Sequence, residues 1–171
     1  MAHTVIMGMS ESGKSTLAKR IAKSFQSQGI KIIVFNPLRD WWSDPVPDMQ
    51  TDNISEVTRV AKLSWSCAIF IEECCDVSTN QIKWFATQAR HRGHASHFIA
   101  QRGKGMVAPT IRDQCRYLAC FRVSLDDAKT LAAEYTKPEL SGYDGCHTLD
   151  QYEYWFCGRY IPAQKLKLDD R

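Results

Sequence analysis

The residues Gly8-Met9-Ser10-Glu11-Ser12-Gly13-Lys14-Ser15 fit the pattern G-x-x-x-x-G-K-[ST] at every fixed position. The chemistry of that pattern is phosphate binding. Gly8 and Gly13 allow backbone conformations that wrap N–H groups around phosphate oxygens. A helix starting at Lys14 turns its N-terminus toward the same anion. Lys14 reaches β- and γ-phosphates, the Ser15 hydroxyl suits Mg²⁺, and Thr16 suits the α-phosphate. Ser10, Glu11 and Ser12 lie between the glycines, so nucleotide contacts are expected from Gly8 through Thr16. Glu11 is acidic beside phosphates, so it must point outward or meet a cation.

A second signal is acidic. The apolar run Ala68-Ile69-Phe70-Ile71 leads into Glu72-Glu73. At the carboxyl edge of a parallel sheet, both carboxylates face the crevice that holds the phosphate loop. Glu72 is assigned to Mg²⁺ through its water shell, and Glu73 to polarising the water that attacks the γ-phosphate. Gln101 ends another apolar run, Phe98-Ile99-Ala100, and from a neighbouring strand would reach the γ-phosphate or that water. Arg102 and Lys104 follow in a glycine-rich basic loop, and Arg39 stands beside Trp41 and Trp42. These three cations are candidates for gripping a nucleic-acid backbone without reading sequence. The tryptophans suit a core or subunit interface better than base stacking. His91, His94 and His97, the Cys74-Cys75 pair, and Cys146-His147 with Cys157 lack zinc-ligand spacing and carry little weight as metal sites.

The elements that must position these groups alternate along the chain. Strands are expected at Thr4–Met7, Lys31–Phe35, Cys67–Ile71, Ser96–Ala100 and Tyr117–Val123, and helices at Lys14–Gln28, Ile54–Leu63, Thr79–Arg90, Pro109–Gln114 and Leu125–Tyr135. Leu38–Thr51 reads as a loop, Lys137–Gly145 as turns, and Thr148–Cys157 as a terminal strand or hairpin. This is an α/β pattern with a mainly parallel sheet covered on both faces. Residues 1–162 read as a single domain and 163–171 as a charged, frayed C-terminal tail.

Composition sets the outer bounds. A chain of 171 residues with 44% hydrophobic and 24% charged residues is an ordinary globular domain that needs no disulfide to fold. Lys plus Arg number 22 against 19 Asp plus Glu, and a net charge of +3 does not by itself declare a nucleic-acid binder. No apolar run approaches the roughly 18 residues of a membrane span, and no signal peptide is visible. The 7 cysteines form no Cys-x-x-Cys and read as reduced thiols of a cytosolic protein.

Together with the phosphate loop and Glu72-Glu73, the stretches Ala89-Arg90-His91-Arg92-Gly93, Phe98-Ile99-Ala100-Gln101-Arg102, Pro109-Thr110-Ile111-Arg112 and Cys120-Phe121-Arg122-Val123 resemble the FtsK/HerA superfamily of DNA-pumping ATPases. The resemblance runs from about Thr4 to Leu131 and is greatest to viral genome-packaging ATPases of tailless, membrane-containing phages. It implies a RecA-like P-loop NTPase core that hydrolyses ATP with Mg²⁺ at the subunit interfaces of a homo-oligomeric ring of roughly five or six subunits. The implied partners are DNA, as the viral genome, and capsid or membrane vertex proteins. The implied location is the host cytoplasm, at the packaging vertex. Arg90 matches the family's trans-acting arginine finger, with Arg92 the alternate and Arg112 and Arg116 further back. The family usually carries Asp-Glu where this chain carries Glu72-Glu73. Two other readings share the phosphate loop. One is a small P-loop kinase acting on a nucleotide or metabolite, with Arg112 and Arg116 as its lid. The other is a filamentous-phage assembly or secretion ATPase, which would normally carry a membrane segment.

Overall fold

The computed structural model describes residues 1–101 and 107–169. Its strands and helices follow in the order β1 (Thr4–Gly8), α1 (Lys14–Ser27), β2 (Ile32–Phe35), β3 (Met49–Thr51), α2 (Ile54–Leu63), β4 (Ala68–Ile71), α3 (Thr79–Thr87), β5 (Ala95–Gln101), α4 (Pro109–Arg112), β6 (Tyr117–Cys120), α5 (Leu125–Tyr135), β7 (Glu153–Gly158) and β8 (Ile161–Lys167). Among the described residues the strands form one 8-stranded sheet in the order β3-β2-β4-β5-β1-β6-β7-β8. From β3 to β6 all pairings are parallel, while β7 and β8 run antiparallel at one edge.

Strand alternation splits the core in two. Val5, Met7, Ile69, Ile71, Phe98 and Leu118 face α2 to α5, against Val57, Phe85, Ile111 and Leu131. Ile6, Val34, Phe70, Ile99 and Ala119 face α1, against Leu17, Ala18 and Ala22. Both faces of the central strands are therefore buried, which is why they read as unbroken apolar runs. The mainly parallel α/β sheet with helices on both faces is thus observed.

Several boundaries differ from the expectations. The supposed loop Leu38–Thr51 ends in β3, which adds to the β2 edge in the register Ile33–Met49 and Phe35–Thr51. The expected helix Thr79–Arg90 stops at Thr87, and a 3₁₀ turn, Ala89–Arg92, leads to Gly93 with φ 72°. β6 ends at Cys120 rather than Val123. Phe121 still donates its N–H to Met7 O, and Arg122 O then accepts from Met9 N at 2.9 Å, carrying the chain across the phosphate loop. The supposed frayed tail is ordered: residues 163–167 are most of β8, paired with β7 through Glu153–Lys167 and Phe156–Gln164. Leu168 beyond it is buried and donates its N–H to Tyr152 O at 2.9 Å.

Buried polar side chains pin the layers together. Cys67 N–H donates to His94 Nδ1, so that ring carries its proton on Nε2 and donates it to Ala61 O. Arg112 is buried, donates to both oxygens of Glu134 and to Val107 O, and ties α4 to α5. No helix among the described residues is long and apolar enough to cross a membrane.

Candidate nucleotide-binding site

β1 leads straight into the loop Met9–Gly13, and the loop turns into α1. Gly8 takes φ 156° with Phe121 packed so close that a Cβ would lie 2.5 Å from Phe121 Cβ. Gly13 takes φ 111° as the residue before α1 and offers no side-chain cap, so the first amides of the helix stay free for an anion. Ser12 Oγ and Lys14 Nζ both donate to Met9 O, at 2.8 and 2.6 Å. Glu11 is exposed with φ 57°, so its carboxylate has room to stand away from the loop interior. Ser15 and Thr16 are exposed at the mouth of α1.

The carboxyl ends of three neighbouring strands meet here. β5 lies between β1 and β4. Gln101 ends β5 directly opposite Gly8, and its Nε2 donates to Ser10 Oγ. Glu72 and Glu73 follow β4, with Glu72 N–H still donating to Phe35 O. Burial, then the neighbouring Glu73 charge, pushes the Glu72 carboxyl up to about 7, while Lys19, the Trp42 indole and Lys14 oppose that shift. Lys14 is itself pushed down by burial and held up by Glu73 and Glu72, so the lysine and both carboxylates share one field. Glu72 Oε1 is buried with no hydrogen-bond partner among the described residues. An orphaned carboxylate oxygen beside the phosphate loop fits a hydrated cation held between Glu72 and the Ser15 hydroxyl.

Two adjoining pockets open on this edge. One, of about 370 Å³, is lined by Glu11, Gly13, Lys14, Ser15, Thr16, Gln151 and Tyr152. The other, of about 310 Å³, lies between Met9–Ser12 and Arg122, Leu149, Asp150 and Gln151. Arg122 belongs to a stretch that carries the family resemblance but has no role assigned to it there, and it enters just after β6; residues 149–152, which no motif marks, arrive just ahead of the antiparallel strand β7.

The remaining candidates lie elsewhere. Arg90 is exposed on the turn before β5, where its charge is felt by His3 at the opposite end of β1. The length of β5 separates it from Gln101, roughly 20 Å at 3.3 Å per residue. Arg92 stacks over Trp65 at 4.9 Å. Arg116, over Tyr117 at the start of β6, also lies at that far end, and Arg112 is held inside by Glu134. Neither can cover the phosphate loop, so neither can serve as the lid expected for the kinase reading. Arg39 is ion-paired with Asp52 at 2.7 Å. Trp42 is buried against Phe70, whereas Trp41 is exposed. Arg102 and Lys104 lie outside the described residues. Among the described residues no group of three or more His, Cys, Asp or Glu is placed to hold a metal.

A family model described as "Bacterial virulence protein (VirJ)" matches residues 3–73, fewer than half of the chain. No curated protein matches it in sequence. Among solved structures, the genome packaging NTPase B204 from Sulfolobus turreted icosahedral virus 2, in complex with AMPPCP, superposes with a TM-score of 0.75 at 16% identity, covering 97% of both chains. The cytoplasmic domain of the Thermomonospora curvata Type VII secretion ATPase EccC gives a TM-score of 0.76 at 14% identity over 99% of this chain and 24% of that one. The pCW3 conjugation coupling protein TcpA, with ATPgS, gives 0.73 at 11% identity over 97% of this chain and 59% of that one. At these identities the likeness establishes the fold. The chain has a P-loop NTPase fold like that of these proteins.

Proposed function

We propose that this chain is an ATP-driven DNA translocase that packages a viral genome into a preformed capsid. One observation carries the reading: the phosphate loop, Gln101 and Glu72-Glu73 come from three adjacent strand ends, with the glutamine strand between the other two. That arrangement suits hydrolysis better than transfer to a small acceptor, because a carboxylate and an amide flank the place of an attacking water. B204, matched over 97% of both chains, is a packaging NTPase. The secretion and conjugation proteins EccC and TcpA extend well beyond the matched region.

In this reading Gly8–Thr16 bind the triphosphate of ATP. Lys14 neutralises β- and γ-phosphate charge. Mg²⁺, held by Ser15 and through water by Glu72, supplies further neutralisation when bound. Glu73 takes the proton of the attacking water, and Gln101 positions that water or the γ-phosphate. Arg90 cannot reach its own site, so it serves a neighbouring subunit, which makes a homo-oligomeric ring part of the mechanism. DNA is gripped by Arg102 and Lys104, and the motor works in the host cytoplasm at a capsid or membrane vertex. A guanidinium in trans is worth about 10³–10⁵ in rate in related phosphoryl transfers.

The test is ATP hydrolysis at low salt with and without double-stranded DNA. DNA should accelerate phosphate release. No acceleration by DNA, or labelled phosphate passing to a small acceptor, would sink the motor reading.

A further inference from the structure

The phosphate loop explains how a polyphosphate is held, but leaves the nucleoside without a seat. The pocket of about 370 Å³ beside Lys14, Ser15 and Thr16 is walled on its other side by Gln151 and Tyr152. Its volume falls in the range of small-molecule sites, about 300–1,000 Å³. Tyr152 holds φ at 67°, a conformation that bulky side chains rarely adopt and that persists only where neighbours impose it. The neighbours are identifiable. Tyr152 N–H donates to Ser12 O at 3.1 Å, and Tyr152 O accepts from Leu168 N at 2.9 Å. The ring lies against the phosphate loop, where a Cβ on Gly13 would meet Tyr152 Cδ1 at 2.9 Å. Gln151 is pinned through Nε2 to Glu11 O at 3.1 Å, which leaves its amide oxygen as an acceptor.

We propose that Tyr152 and Gln151 form the nucleoside subsite of the nucleotide site. The Tyr152 ring stacks on the base, and the Gln151 oxygen accepts from a base or ribose donor. This rests on the nucleotide reading given above. Neither side chain carries a charge that would attract a bare polyphosphate, so their contribution to the nucleoside is read as the difference between ATP and tripolyphosphate binding. Stacking also tolerates any base, so the subsite selects for a nucleoside rather than for one nucleobase.

The distinguishing experiment is isothermal titration of the whole chain with ATP and, separately, with inorganic tripolyphosphate. Tyr152→Leu keeps an apolar side chain against Gly13 and Leu168 but removes the π-face, and Tyr152→Phe keeps the face. The expected result for Tyr152→Leu is roughly tenfold weaker ATP binding, the usual scale for a lost base–aromatic stack, with tripolyphosphate affinity unchanged. Tyr152→Phe should bind ATP like the wild type. The subsite is overturned if Tyr152→Leu weakens both ligands equally, leaves both unchanged, or is matched in its ATP loss by Tyr152→Phe. A wild-type chain that binds neither ligand would instead overturn the nucleotide reading itself.

Discussion

Lowering the pH should unload the core through two histidines that fold in neutral form. His97 is wholly buried, stacks on Phe70 with centroids 4.5 Å apart, and has no hydrogen bond at either ring nitrogen among the described residues. Burial, with a smaller contribution from His3, holds it down to about 3. Burial, then Arg90, the chain amino group and His94, hold His3 at about 4. The unfolded chain takes up both protons as the pH falls through 6.5, while the folded chain refuses them until about 4 and 3. Stability contributed above 6.5 is therefore lost below it, at about 1.4 kcal/mol per pH unit for each ring. From pH 6.5 to 5 that is about 2 kcal/mol each, or about 4 for the pair. Glu72 works the other way: its folded value of about 7 lies above the ordinary 4.5. The folded state then binds the extra proton, and falling pH restores about 2 kcal/mol over the same interval. The wild type should lose about 2 kcal/mol net, a substantial part of a typical 5–15 kcal/mol. His97→Phe, which keeps an aromatic ring on Phe70 and removes one of the two protons, should be nearly flat. Urea unfolding followed by circular dichroism at pH 6.5 and 5 measures both slopes. Equal losses in wild type and His97→Phe would refute the assignment, because the acid sensitivity would then come from elsewhere.

Three further outcomes test the site. Glu73→Gln should bind ATP with unchanged affinity while phosphate release falls by at least about 10²; normal turnover would reject Glu73 as the base. Gly13→Ala forces a Cβ to 2.9 Å from Tyr152 Cδ1 and 3.0 Å from Leu168 Cδ1 at φ 111°. It should lower stability by about 1–3 kcal/mol and abolish ATP binding, as thermal melts with and without ATP would record. Arg90→Ala subunits should bind ATP normally, yet mixing them with wild type should depress turnover beyond their share of the mixture. A loss proportional to that share would argue against action in trans.

The parts of this site legible in sequence are those encoded by neighbours along the chain. The phosphate loop is contiguous, and Glu72-Glu73 and Gln101 each end an apolar run, so burial and strand ends could be read together. Their convergence needs only a parallel sheet, which the unbroken apolar strands implied. What escaped is held by backbone pairing or by distant partners. Met49-Gln50-Thr51 has no periodicity to read and becomes a strand because β2 has an unpaired edge. Lys165-Leu166-Lys167 looks like a solvated run, and most of its surface is indeed exposed. Its ladder to β7 is a property of main-chain groups that every sequence carries. Arg112 reads in sequence as a cation available for catalysis, but Glu134, 22 residues away, encloses it.

The antiparallel edge matters most because of what it does to the phosphate loop. The C=O of a trans peptide and the N–H of the next residue lie in one plane and point in opposite directions. The hairpin side of the molecule donates to the two loop carbonyls that matter: Gln151 Nε2 to Glu11 O and Tyr152 N to Ser12 O. Those carbonyls share their planes with the N–H groups of Ser12 and Gly13. Engaging the carbonyls from outside turns these amides away from the hairpin, toward the concave side of the loop. The Gly13 plane is further confined by Tyr152, Leu168 and Phe121 packed where a Cβ would stand. The amide cradle that the glycines make possible is thus set by a segment about 140 residues later in the chain. Residues 149–152, which read as part of a terminal strand or hairpin, form the outer wall of the candidate nucleotide site, with Leu168 packed against Gly13 beside them.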